Sequence, residues 1–133
     1  MWRTLGGIVA GLVAWAAVVT ILNFVLRAAI PSYHAAEATL QFTAAMKAGR
    51  LIEAALTSFA AGVVVALVTP TKRWAPWVVG LIVLAMFLPV HVKLWHVFPL
   101  WYHLAFLVPL VPLVALGGEL GRNAGANRPT TAG

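Results

Sequence analysis

From Leu5 to Leu26 the chain runs without a single charged residue. About 20 apolar residues, rising about 1.5 Å each, cross a hydrocarbon core of roughly 30 Å. No water reaches backbone groups in that core, so such a run must satisfy them as a helix. Three further apolar runs follow, Leu51 to Thr69, Trp74 to Val92 and Leu100 to Gly118. Together they confine the chain to an all-α integral membrane fold. Composition agrees: 62% of the 133 residues are hydrophobic and 9% charged, whereas soluble domains carry about 25% charge.

In order, these runs predict helices over about 5–28, 51–69, 74–93 and 100–118, within one transmembrane domain spanning 1–120. A signal peptide is the competing reading of the first, with Arg3 as its basic start and Ala14-Trp15-Ala16 as a cleavage box. The apolar run continues through Leu26 instead of turning polar, which favours a membrane helix. Ile30-Pro31-Ser32 breaks it, and residues 32–48 are too polar to span and too long for a tight turn. They are expected to form an interfacial helical segment lying on the membrane. In helix two, Ala54, Ser58, Gly62 and Ala66 recur every four residues, a seam that lets another helix approach closely, within the chain or between copies. Gly7 and Gly11 form a weaker signal of the same kind. Pro89 is expected to kink the end of helix three, and Pro109 and Pro112 to bend helix four. The polar tail 121–133 is expected to be disordered.

Nine basic residues against three acidic ones give +6. In a soluble protein that excess would suggest nucleic acid, but here the basic residues flank apolar runs, where lipid headgroups account for them. The lipid bilayer is therefore the expected partner, with a homo-oligomer or membrane protein partner allowed and nucleic acid not. With the N-terminus in the cytoplasm, that side collects Arg3, Lys72, Arg73, Arg122 and Arg128, against Arg27, Lys47, Arg50 and Lys93 opposite. The short Lys72-Arg73 turn tips the balance toward both termini inside. The chain has no cysteine, which excludes disulfides, thiolate catalysis and iron–sulfur clusters. It has no aspartate either, so a Ser-His-Asp triad is impossible, and no catalytic residue is assigned.

That topology gathers a polar layer near the non-cytoplasmic surface: Asn23 and Arg27 late in helix one, Glu53 early in helix two, His91 late in helix three and His103 early in helix four. His96, Trp101 and Tyr102 adjoin it as further candidate contacts, and His34 and Glu37 can cap it. A carboxylate at membrane depth needs a partner. Arg27 is the expected one for Glu53, with Arg50, three residues earlier on the same helix, as the alternative. Three of the four histidines fall within Pro89 to His103, and neutral imidazole suits zinc, copper or haem iron. His91 and His96 are five apart, about 140° around a helix, so only His91 and His103, facing one another across the hairpin, qualify as metal candidates. No cofactor is expected, with haem or a divalent metal as the alternative.

The stretch FPLWYHLAFLVPLVPL (98–113), with AAIPSYHAAEATLQFTAAM (28–46), resembles a group of small bacterial four-helix integral membrane proteins whose last helix opens on F-P-x-W-Y-H. The resemblance covers most of residues 1–120. It implies a bacterial inner membrane and brings no functional residue with it. The expected architecture is a membrane four-helix bundle with an interfacial helical segment between helices one and two. The expected role is non-enzymatic, accessory or small-ligand- or lipid-binding. A haem or metal protein is the alternative. A proton-coupled transporter using Glu53 comes third: small multidrug transporters are similar in size, but carry their glutamate in the middle of helix one.

Overall fold

The computed structural model describes residues 1–127 and residue 129. Among these described residues six helices follow one another: α1 (Trp2–Ala29), α2 (Tyr33–Thr39), α3 (Ala44–Val68), α4 (Ala75–Lys93), α5 (Leu100–Leu107) and α6 (Leu110–Ala126). There is no strand among the described residues. α1, α3, α4 and the combined run Leu100–Ala126 are each long and apolar enough to cross a membrane. By length and composition this is a membrane-embedded protein.

Local chemistry sets the helix ends. Pro31 disfavours helical backbone at the residue before it, and Ile30 is extended, closing α1. Leu40 ends α2 in the left-handed region at φ 58°. The Thr43 side chain then accepts a hydrogen bond from the Met46 amide at 3.2 Å. That cap satisfies one of the free donors of a helix start, so α3 begins at Ala44, earlier than the expected 51. The last apolar run is two helices, because Pro109 has no amide hydrogen to bond back into α5. Pro89 and Pro112 lie within α4 and α6. The polar tail departs from expectation as well, since α6 carries it as helix through Ala126; its remainder, residue 128 and residues 130–133, lies outside the described residues.

α3 is the central element, packed most extensively against α6 and α1. Ser58, Gly62 and Ala66 of the small-residue seam are buried. A Cβ on Gly62 would land on the Val114 carbonyl, and one on Gly117 on the Phe59 carbonyl, so α3 and α6 touch backbone to backbone. Gly7 and Gly11 of α1 instead abut side chains, those of Thr69, at the end of α3, and Val65. Lipid offers helices no hydrophobic drive to associate, and close van der Waals approach takes its place. An apolar core of Ala61, Val65, Val79, Val83, Leu110 and Val114 fills the middle. A second cluster, Tyr33, Phe42, Met46, Phe98 and Tyr102, ties α2 and the start of α3 to α5. The outer face of α1 exposes Leu5, Val9, Val13, Ile21 and Phe24.

Candidate functional site

α2 folds back against the end of α1, and Glu37 meets three donors there. Asn23 Nδ2 donates to its Oε1 at 3.3 Å, Arg27 Nε donates to its Oε2 at 2.9 Å, and His34 Nδ1 lies 3.3 Å from that same oxygen. Arg27 therefore pairs with Glu37, not with Glu53 as expected. The reversal at Pro31 is the reason: it returns a carboxylate ten residues later to the helix end that Arg27 occupies. Burial pushes the Glu37 carboxyl upward, but the bonds from Arg27, Asn23 and His34 outweigh it and hold its pKa below the usual carboxylate value.

Arg50 is the hub of the layer. Its Nε donates to the Tyr102 hydroxyl at 3.0 Å and its Nη1 to the Tyr33 hydroxyl at 2.8 Å. Its guanidinium lies over the Phe42 ring, 4.8 Å from the centroid. The planar fork of arginine suits two acceptors held at fixed angles, and its charge finds further stabilisation on an aromatic face.

One turn deeper on α3, Glu53 is only 7% exposed. It forms no ion pair among the described residues, and its Oε1 is buried without a protein hydrogen-bond partner. The Thr57 hydroxyl, one turn further, and Trp15 Nε1 on α1 are buried and unpartnered as well. Trp15, Asn23, Arg50, Glu53, Phe87 and Phe106 line a cavity of about 90 Å³.

His91 and His103 are both buried, with their Nδ1 atoms 2.8 Å apart, a hydrogen bond between imidazoles. Trp95 stacks on His103 at 4.8 Å between centroids, and Phe106 lies 4.6 Å from His91. The buried His103 Nε2 has no hydrogen-bond partner among the described residues. An orphaned N–H is rarer than an under-used acceptor, which favours the tautomer in which His103 Nδ1–H donates to His91 Nδ1. Among the described residues, no three of His, Cys, Asp and Glu gather closely enough to hold one ion. The cavity beside this pair measures about 40 Å³.

Of the sequence candidates, Asn23 and Arg27 thus join Glu37, and Glu53, His91, His103 and Tyr102 are buried in the layer. His96 and Trp101 stay on the outside. The hub role of Arg50, and the parts of Tyr33, Trp15 and Thr57, escaped the sequence reading. The spacing 50, 53, 57 was the available signal, since polar residues three and four apart share a helix face. A larger cavity, about 500 Å³, lies at the opposite end, lined by Pro70, Arg73, Gly121, Arg122 and Asn123 among others. Glu119 there pairs with both Arg73 and Arg122.

Comparisons of this chain with protein-family models, curated proteins and solved structures find no match.

Proposed function

We propose that this chain is a non-enzymatic accessory protein of a bacterial inner membrane, a four-helix bundle with α2 on the non-cytoplasmic surface and both termini in the cytoplasm. In this reading the polar layer is a packing device. It fastens α2 and α5, which are too short to hold themselves in place, onto the spanning helix α3. The observation that carries the proposal is the Arg50 clamp, one side chain bonded to hydroxyls from two other elements. Cavities of about 40 and 90 Å³ within the layer fall below the roughly 300 Å³ at which small-molecule pockets begin. An accessory role is therefore favoured over small-ligand binding there. The haem or metal alternative, using His91 and His103, requires the hydrogen bond between their Nδ1 atoms to be given up.

The deciding experiment is an absorption spectrum with elemental analysis of the detergent-purified protein from cells supplied with haem and metals. A His91→Ala, His103→Ala double variant and an Arg50→Gln variant are run beside it. The expected result is a colourless, metal-free protein whose thermal midpoint falls in Arg50→Gln. Hydrogen bonds to a charged group contribute about 1.5–3 kcal/mol each, and two are lost. A haem band or near-stoichiometric metal that disappears in the double variant overturns the proposal in favour of the cofactor reading. An unchanged midpoint in Arg50→Gln removes the clamp as its basis.

A further inference from the structure

The cavity of about 90 Å³ between α1, α3, α4 and α5 has a composition that a packing role does not require. Glu53 Oε1 on the α3 wall is an acceptor without a donor, and Trp15 Nε1 on the α1 wall is a donor without an acceptor. Asn23 and Arg50 add further polar lining. An apolar cavity of this size stays dry, whereas one offering two to four polar partners holds water at roughly 30 Å³ per molecule. A few waters here would join the Trp15 donor to the Glu53 acceptor and satisfy both.

The cavity also has a polar route outward. Asn23 lines it and at the same time donates to Glu37 at 3.3 Å. Glu37 in turn contacts His34, whose side chain is 78% exposed. A titratable surface group, a carboxylate, an amide and the cavity thus follow one another from the solvent edge to Glu53. The charged and titratable groups around Glu53 are Arg50 on its own helix, Glu37 and Tyr33 on α2, Tyr102 on α5 and His91 on α4. Arg50 already spends its Nε and Nη1 donors on the two tyrosines. Arg27, another cation of this end, is spent on Glu37.

We propose that this cavity is a hydrated proton-exchange site. Its ligand is the proton, and its binding group is the Glu53 carboxyl, reached from the surface past His34 and Glu37 and through cavity water that the Asn23 amide orients without itself carrying the proton. The Glu53 carboxylate takes a proton from hydronium, leaving water and a neutral carboxyl, and returns it by the reverse step. The site adds a membrane-embedded proton acceptor to the packing role and does not depend on it, since the Arg50 clamp uses different atoms.

The test is infrared difference spectroscopy of the full chain in lipid nanodiscs, with pH steps and exchange into deuterated water. The expected wild-type signal is a protonated-carboxyl stretch that appears and disappears with pH and shifts on deuteration. Glu53→Gln loses it. The Glu37→Gln, Glu119→Gln double variant keeps that band at equilibrium and exchanges it more slowly, because it lacks the Glu37 step of the route, so the assignment holds even where Glu53→Gln fails to fold. Asn23→Leu keeps the band but slows its deuterium shift several-fold. Absence of a pH-dependent carboxyl band in the wild type, or its absence from the double variant, overturns the site. A wild-type exchange rate in Asn23→Leu overturns the route.

Discussion

Glu37 accepts from or contacts three side chains, and this sets the sign of its pH dependence. Burial raises its pKa, and the bonds from Arg27, Asn23 and His34 lower it further than burial raises it, to below 4.5. A carboxyl with a folded value below its unfolded value adds stability above the unfolded pKa, and loses that contribution as pH falls through the folded one. Acidification downward from 4.5 is therefore expected to loosen α2 from α1. Glu37→Gln has no such proton to gain, so its thermal midpoint plotted against pH is expected to be flatter across that window. Equal slopes for variant and wild type would show that the cluster does not couple to folding. Asn23 and Arg27 were legible in the sequence as polar residues one turn apart, and Glu53 as a carboxylate at membrane depth. Their pairing was not legible, because it depends on the direction in which the chain turns after Pro31. The hydroxyls of Tyr33 and Tyr102, 69 positions apart, meet at Arg50 by tertiary packing that no local pattern encodes.

At the scale of elements, the small-residue seam was readable because its period of four matches one face of a helix. Its partner was not, since α1, α4 and α6 are all apolar enough to receive it. The structure gives the closest approach to α6, and this yields a paired expectation. Gly62→Ala pushes a methyl group into the Val114 backbone, which cannot yield as a flexible side chain can. Overpacking of this kind costs about 1–3 kcal/mol, and the thermal midpoint in detergent is expected to fall accordingly. Gly6→Ala, where an added Cβ meets nothing within 4 Å, removes backbone freedom inside α1. It is expected to be neutral or stabilising by up to about 1 kcal/mol. A Gly62→Ala protein as stable as Gly6→Ala would mean that α3 and α6 do not touch at this point. The four spans were equally legible, because hydrocarbon thickness dictates their length. Their boundaries followed local caps and prolines, such as Thr43 and Pro109, that hydropathy does not weigh.

Across the whole molecule the two ends differ in kind. One end holds Arg27, Arg50, Glu37 and Glu53 with the paired histidines; the other holds Arg3, Lys72, Arg73 and Arg122 with Glu119. At the first end Arg27 is ion-paired with Glu37 and Arg50 is bonded to tyrosines. Arg27 therefore contributes less free positive charge to that surface than a simple count of basic residues assumes, whereas Arg50, bonded to neutral hydroxyls, keeps its full charge; at the second end Glu119 offsets Arg73 and Arg122 in the same way. At the second end the short turn between α3 and α4 carries Lys72 and Arg73, both exposed, and orientation responds most to Lys and Arg in short loops beside the spans. The turn is accordingly expected to face the cytoplasm and α2 the opposite side. The natural chain has no cysteine, so single cysteines placed at exposed positions report without background. Ser32→Cys is expected to react with a membrane-impermeant maleimide on intact spheroplasts, and Thr71→Cys only after the membrane is opened. The reverse pattern would put the Glu53 cavity at the cytoplasmic face, and protons would then enter it from the cell interior.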